Sequence, residues 1–143
     1  MQLKDIMTRD PVVLSPETTL KEAARKMRDL DSGVMPIGER DRLVGMLTDR
    51  DITVRATAEG KDPNGTPVRE AMTTDVVYCF EDDDVRGAAR KMEEHQIRRL
   101  IVLNRDKRLV GIVALGDIAV HAPDDRLPGE IAEAVSEPAE PAR

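Results

Sequence analysis

The sequence contains one pattern twice, and this internal duplication constrains the fold more than any other feature. Residues 5–12 resemble residues 70–77, at an offset of 65 that becomes 66 after one residue is inserted near Asp106. The match ends with Ala56 on Ala122, and 18 of the 52 aligned pairs are identical. Ordered matches at a constant offset indicate a tandem repeat. We therefore expect two copies of one structural unit.

The duplication divides the chain into four segments. We expect the first repeat over residues 1–59, a linker over 60–68, the second repeat over 69–122 and a tail over 123–143. The linker contains residues that favour loops, namely Gly60, Pro63, Asn64, Gly65 and Pro67. The tail is acidic and rich in Ala and Pro, so we predict at most a short helix over residues 127–135.

In each copy the sequence pattern predicts a strand, a helix, two further strands and a second helix, in this order. A capping-box pattern at Thr19–Glu22 starts the first helix, and Asp84 takes the cap position in the second copy. We predict an apolar helix face from Leu20, Ala23, Ala24, Met27 and Leu30. The predicted strands are 12–14, 34–37 and 43–47 in the first copy, with 100–103 and 109–113 in the second; second helices start near Asp49 and Leu115.

The predicted fold class is α+β, built from tandem repeats of the β-α-β-β-α type. One repeat of about 55 residues buries too little surface to be robust alone. We therefore expect the two copies to pack sheet to sheet with pseudo-two-fold symmetry and a cleft at their seam.

Composition excludes several classes of function. The chain has no Trp, one Tyr and one Phe, which excludes aromatic platforms for nucleic acid. Four of its six net negative charges lie in residues 123–143, and no basic face is visible, so we expect no nucleic-acid partner. No run approaches the length of a membrane span, and residues 1–7 lack the apolar region of a signal peptide. We expect a soluble cytoplasmic protein without a membrane partner.

Catalytic and metal chemistry also lack a supporting pattern. The single Cys79 excludes an intrachain disulfide, and one Cys with two His cannot form a Cys/His zinc site. Cys79 lies in a predicted strand, and His95 and His121 have no nucleophile pattern nearby. The acidic residues 81–84 lack the spacing of a calcium loop. We therefore expect no catalytic residues, no metal site and no enzymatic activity.

Several motifs, in order and in both copies, resemble the cystathionine-beta-synthase (CBS) domain pair family. They are Asp-Ile-Met-Thr at residues 5–8, Met-Pro-Ile at 35–37, and residues 45–52, 93–100 and 109–113. The resemblance covers residues 1–122 and includes sequence segments typical of stand-alone bacterial members. It implies a regulatory (Bateman) module, commonly homodimeric, which binds an adenine nucleotide such as AMP, ADP or ATP between its repeats and requires no cofactor. It also implies a stress-response role and an unidentified protein effector.

The family's nucleotide motif matches residues 45–51. By resemblance, the Thr48 hydroxyl contacts phosphate, the Asp51 carboxylate accepts from the ribose hydroxyls, and Arg50 lies at the nucleotide. Gly45 has no side chain, so either a ligand or a neighbouring backbone can approach it. Thr48-x-x-Asp51 is also the pattern of a helix N-cap, which stabilises a helix without any ligand. Spacing alone favours the cap, whereas the resemblance favours nucleotide binding.

Further site residues follow from the resemblance. Met35 and Pro36 fall where the family lines the adenine pocket, and Arg98 and Arg99 fall where it places basic groups on phosphates. A guanidinium suits phosphate oxygens, although an exposed or salt-bridged arginine pair is an equal alternative. The first copy has Gly33 and Val34 at these two positions and offers no charge.

The second copy departs from the motif at its hydroxyl position. Asp117 retains the ribose position by resemblance, but Ala114 stands where Thr48 stands in the first copy. Alanine can neither cap a helix nor donate a hydrogen bond from its side chain, so we expect a weaker second site. Two functions remain open on the sequence: a nucleotide-binding regulatory module that signals through conformation or association, and a ligand-free dimerisation or protein-interaction module.

Overall fold

The N-terminal segment and the second repeat form one compact unit, and the chain between them forms another. The computed structural model describes residues 1–121, so the acidic tail and its predicted helix lie outside the described residues. Unit 1 contains Met1–Pro11 and the chain from Val77 onward, and unit 2 contains Val12–Val76. The first eleven residues resemble the start of a repeat in sequence, yet they pack with the other repeat.

Unit 2 consists of helix α1 (Leu20–Leu30), an antiparallel pair of strands and a second helical segment. Strand β2 (Val34–Glu39) pairs with β3 (Arg42–Thr48), and α2 (Asp49–Asp51) continues into a π-helix over Ile52–Thr57. A 3-10 helix over Val68–Glu70 follows the connecting loop. Apolar side chains from all these parts form one core: Leu14, Leu20, Ala23, Met27, Met35, Ile37, Leu47, Ala56, Val68 and Ala71.

Unit 1 contains a four-stranded sheet, which includes a short strand from the N-terminus. Its strands are β1 (Thr8–Arg9), β4 (Tyr78–Phe80), β5 (Arg99–Leu103) and β6 (Leu109–Ala114), in the order β1-β6-β5-β4. Only the β4–β5 pair among these is parallel. Helices α3 (Val85–His95) and α4 (Leu115–His121) complete the unit. The core includes Leu3, Ile6, Met7, Cys79, Val85, Ala88, Ala89, Met92, Leu100, Val102, Val113 and Ile118.

Helix boundaries follow the predicted caps. The Thr19 hydroxyl accepts a hydrogen bond from the Glu22 nitrogen at 3.2 Å, and the Asp84 carboxylate accepts from the Arg86 nitrogen at 2.8 Å. Helix α1 ends where Asp31 adopts the left-handed conformation, and α3 ends in the same way at Gln96. Both N-caps predicted from the sequence are therefore confirmed, whereas the return bond from Glu22 that would complete a capping box at Thr19 is not formed in the described residues.

The predicted strand over residues 12–14 is wrong. Only Leu14 pairs, through its nitrogen to the Pro36 oxygen and through its oxygen to the Gly38 nitrogen. The next bond of this parallel ladder would need an N–H on Pro36, which proline lacks. In the second copy Ile101 takes the position of Pro36, and β4 pairs with β5 over three residues.

Two smaller predictions for α1 are also wrong. Ala24 and Leu30 were expected on the buried face, but both are exposed, and Leu30 retains 47% of its accessible surface. The buried face is narrower and consists of Leu20, Ala23 and Met27. Leu30 is the last helical residue before the left-handed turn at Asp31. Among the described residues, no helix has both the length and the apolar character needed to cross a membrane.

Candidate functional site

The Thr48–Asp51 motif forms a reciprocal pair of hydrogen bonds where β3 ends and α2 begins. The Thr48 Oγ1 accepts from the Asp51 nitrogen at 3.0 Å, and Asp51 Oδ2 accepts from the Thr48 nitrogen, also at 3.0 Å. This is a complete capping box. The structure therefore contains the cap that the spacing favoured, and the motif has a structural role without a ligand.

The carboxylate of Asp51 is held in place but not enclosed. Its side chain is 13% exposed, and Oδ1 lies outside the capping box. Oδ1 forms an ion pair with Arg55, whose Nε lies at 3.9 Å. Arg55 was missed in the sequence analysis, although its i+4 spacing from Asp51 on a helix is the signal that could have found it.

Gly45 is required by a neighbouring backbone. A Cβ at this position would lie 2.9 Å from both the Met72 sulfur and the Thr73 carbonyl oxygen. Met46 and Thr73 exchange two backbone hydrogen bonds of 2.8 Å at the same place. A neighbouring backbone therefore makes the close approach that Gly45 permits.

Met35 and Pro36 belong to the core of unit 2. Met35 pairs with Leu47 across the β2–β3 ladder and is 2% exposed, and Pro36 pairs with Met46. The Pro36 carbonyl accepts a hydrogen bond from the Leu14 nitrogen at 3.0 Å. Both residues lie near the motif because the residue before Met35, Val34, pairs directly with Thr48.

Arg50 is exposed on the first turn of α2 and follows Asp49, which lines a small cleft. The Arg50 nitrogen donates to Asp49 Oδ1 at 2.8 Å. The cleft has a volume of about 240 Å³ and is lined by Met27, Arg28, Asp31, Ser32, Gly33 and Asp49. Its rim carries charges of both signs, so it offers polar contacts next to the motif.

In unit 1, the candidate residues collect where β5, β6 and α4 meet. Arg98 and Arg99 are exposed, and the Arg98 carbonyl accepts from the Leu115 nitrogen at 2.8 Å. Asp117 Oδ2 accepts from the Ala114 nitrogen at 2.7 Å. The carboxylate half of the capping box is therefore kept in the second copy, and only the hydroxyl half is missing.

Outside these motifs, the one cysteine is a core residue. Cys79 lies in β4 with 1% of its surface exposed, and burial raises the pKa of its thiol above the usual range. A buried thiol with a raised pKa carries little thiolate at neutral pH, which does not suit a nucleophile. Within residues 1–121, no group of three or more His, Cys, Asp or Glu side chains is placed to hold a metal ion.

Comparisons with a family model and with curated proteins identify the same family. The model of the CBS domain matches residues 3–56 and 68–124. The CBS domain-containing protein YhcV of Bacillus subtilis is 45% identical over 119 residues, which cover 83% of this chain and 84% of that protein. Hypoxic response protein 1 of Mycobacterium tuberculosis is 42% identical over 122 residues, with 85% of each chain covered.

Solved structures agree with this result. The crystal structure of Hypoxic Response Protein I with two coordinated zinc ions has a TM-score of 0.79 and 41% identity, and covers 86% of this chain and 100% of that chain. The CBS domain protein PAE2072 from Pyrobaculum aerophilum, complexed with AMP, has a TM-score of 0.76 and 26% identity, with 93% and 99% covered. The fold predicted from the repeats is thus confirmed at the level of tandem CBS repeats.

Proposed function

Because this chain belongs to the CBS domain family and carries a pair of such domains, we propose that it is a non-catalytic regulatory module that binds an adenine nucleotide of the AMP, ADP or ATP class. The observation that carries the proposal is the Asp51 carboxylate. One of its oxygens is fixed by the Thr48 nitrogen, and the other lies outside the capping box. An ionised carboxylate held in this way can accept hydrogen bonds from ribose hydroxyls.

Ligands of related proteins support an adenine with its ribose as the shared chemical group. PAE2072 is complexed with AMP, and so is CBSX2, which has a TM-score of 0.74 and 25% identity to this chain. The CBS domain pair of protein MJ0100, at 30% identity, is in complex with 5′-methylthioadenosine and S-adenosyl-L-methionine. All three compounds carry adenine on a ribose with free 2′ and 3′ hydroxyls, so the ribose and the adenine are the parts that a common site would recognise.

The capping box and a ligand can use the same threonine. The Thr48 oxygen accepts from the Asp51 nitrogen, and its hydroxyl hydrogen can still donate to a phosphate oxygen. In our proposal Arg50 adds charge beside that phosphate, and Met35 and Pro36 limit the space for the adenine. The cap therefore organises the residues before any ligand arrives.

In unit 1 the same proposal assigns the ribose to Asp117 and the phosphate to Arg98 and Arg99. Ala114 supplies no hydroxyl, so we expect this site to bind more weakly. The Gly33 carbonyl accepts from the Asp49 nitrogen at 3.0 Å, as the Arg98 carbonyl accepts from the Leu115 nitrogen. These two backbone hydrogen bonds lie at equivalent positions of the two repeats, which supports treating the two sites as counterparts.

The regulatory part of the proposal rests on how little of a related enzyme this chain matches. Inosine-5′-monophosphate dehydrogenase of Methanocaldococcus jannaschii is 31% identical over 115 residues, which are only 22% of that enzyme. The shared part is thus a minor portion of a catalytic protein. We propose that this chain forms a homodimer and passes nucleotide occupancy to a protein effector through a change of conformation or association.

A second candidate function is a ligand-free interaction module. The completed capping box favours it, because Thr48 and Asp51 already satisfy each other. Calorimetric titration of the purified protein with AMP, ADP, ATP, NAD and S-adenosylmethionine separates the two functions. Saturable binding that is lost in Asp51→Ala, with Asp117→Ala as the matched variant, supports the nucleotide module. No heat of binding from folded protein across the panel would leave the interaction module.

A further inference from the structure

Arg55 connects the proposed ribose carboxylate to a different part of unit 2. Its Nε lies 3.9 Å from Asp51 Oδ1, and its Nη1 donates to the Met72 carbonyl oxygen at 3.2 Å. A guanidinium has several donors in one rigid plane, so it can serve both partners at once. We propose that Arg55 is a positioning residue that orients the Asp51 carboxylate for a vicinal diol and links its occupancy to the Met72–Thr73 segment. This inference rests on the proposed function.

The two oxygens of Asp51 have different roles in this arrangement. Oδ2 accepts from the Thr48 nitrogen, which holds this oxygen in place and leaves the direction of Oδ1 to be set by its other neighbours. Oδ1 lies too far from the Arg55 Nε for a hydrogen bond, so Arg55 attracts this oxygen without using its lone pairs. A ribose presents two neighbouring hydroxyls, and an oriented, uncoordinated carboxylate oxygen can accept from them. Arg55 therefore orients Asp51 Oδ1 as an acceptor and leaves its lone pairs available to the ribose hydroxyls.

The second contact of Arg55 reaches the segment that closes over Gly45. The Met72 sulfur and the Thr73 oxygen occupy the space where a Cβ of Gly45 would lie. Thr73 and Met46 are joined by two backbone hydrogen bonds, and Val68 anchors the preceding 3-10 helix in the core. A shift of the guanidinium on ligand binding would change the environment of the Thr73 amide, because the Thr73 N–H belongs to the same peptide group as the Met72 carbonyl.

The second repeat lacks this link. The position equivalent to Arg55 is His121, whose shorter side chain has no guanidinium fork. The equivalent of Met72 is Met7, which packs on Gly111 in the same way. The backbone arrangement is thus repeated, whereas the arginine is particular to the first repeat, and this confines the proposed coupling to unit 2.

The test compares wild type, Arg55→Gln and Arg55→Lys in titrations with AMP and 2′-deoxy-AMP. We expect wild type to prefer AMP, and Arg55→Gln to lose about fivefold or more of that preference while its affinity for 2′-deoxy-AMP changes little. Arg55→Lys keeps a charge near Asp51 and should retain an intermediate preference. Arg69→Gln is the matched control, because Arg69 is another exposed arginine of unit 2, paired with Glu17. A purely structural role would weaken both ligands equally.

Amide hydrogen exchange supplies the second readout. AMP should change the exchange rate of the Thr73 amide in wild type and in Arg69→Gln, but not in Arg55→Gln. If wild type binds AMP and Arg55→Gln keeps both the preference and the Thr73 response, this inference is overturned and the proposed function stands. If wild type binds neither nucleotide, the proposed function falls and the inference falls with it.

Discussion

Single residues in this chain perform tasks that their type alone does not reveal. Gly45 and its counterpart Gly111 are examples. A Cβ added to Gly45 would lie 2.9 Å from the Thr73 carbonyl oxygen, and one added to Gly111 would lie 2.9 Å from the Thr8 carbonyl oxygen. A carbonyl in a paired segment cannot move aside as the end of a side chain can. Steric demand therefore explains both glycines without any ligand.

This explanation predicts the effect of adding one methyl group. Gly45→Ala should lower the free energy of unfolding by about 1–3 kcal/mol, because the Cβ would overlap Thr73. Gly87→Ala is the control, since Gly87 lies inside α3 with open space around its Cα, and it should raise stability by about 0.5–1 kcal/mol. Urea denaturation measures both. Equal effects from the two variants would show that the close approach at Gly45 is unimportant.

The complete capping box of the first repeat and the half box of the second permit a reciprocal exchange. Thr48→Ala removes the acceptor for the Asp51 nitrogen and should cost about 1 kcal/mol of stability. Ala114→Thr adds a hydroxyl beside Asp117, whose carboxylate already accepts from the residue 114 nitrogen, and should stabilise by a similar amount. Thermal denaturation of the two variants checks both signs. A destabilising Ala114→Thr would show that α4 has no room for the completed box.

Cys79 predicts a dependence of stability on alkaline pH. Burial raises the pKa of its thiol, so the folded state holds the proton at pH values where the unfolded chain has lost it. The contribution of the protonated thiol to the free energy of unfolding is therefore fully present below the pKa of the unfolded thiol, about 8.5. It is lost as the pH rises towards the pKa of the thiol in the folded state. Urea midpoints between pH 7 and 10 should fall more steeply for wild type than for Cys79→Ala. Parallel slopes would contradict this assignment.

At the scale of elements, features with a local sequence signal were predicted better than features that depend on distant residues. The caps at Thr19 and Asp84 and the strands of both hairpins were predicted correctly, because capping and apolar runs are local signals. The strand at residues 12–14 failed, since its pairing depends on Pro36, which lies more than twenty residues away. The π-helix over Ile52–Thr57 also had no local signal. Non-local hydrogen bonding thus sets the limit of prediction from the sequence here.

The candidate site shows the same division between local and non-local information. The mutual cap of Thr48 and Asp51 follows from their spacing and is one of the two roles predicted for this motif. The contacts of Gly45 and Arg55 with Met72 were not predicted, because they join residues that are far apart in sequence. The roles of Arg50, Arg98 and Arg99 at phosphate stay predictions from the family resemblance.

At the scale of the whole molecule, the compact units do not coincide with continuous halves of the chain. Residues 1–11 pack in unit 1, where Leu3 is fully buried and Ile6 and Met7 are each 8% exposed. The corresponding segment before the second repeat, with Val68 fully buried, packs in unit 2. Each repeat is thus completed by the segment that precedes the other one in the sequence.

This arrangement predicts where an N-terminal truncation acts. Deletion of residues 1–9 removes three buried apolar side chains and strand β1, and each such side chain contributes about 1.5–3 kcal/mol. Amide exchange should rise first in β6 and α3, which belong to unit 1, while the β2–β3 hairpin of unit 2 keeps its protection. Loss of protection in the hairpin with β6 unaffected would contradict the assignment of the N-terminus to unit 1.

The central claim is that the Thr48–Asp51 capping box also binds an adenine nucleotide. The most direct test is a titration of ¹⁵N-labelled protein with AMP, followed by the amide signals of Thr48 and Asp51, whose N–H groups are hydrogen-bonded within the box. We predict saturable shifts of these two signals that are absent in Asp51→Ala. Spectra of folded protein in which neither signal moves at saturating AMP would contradict the claim and leave the box as a cap alone.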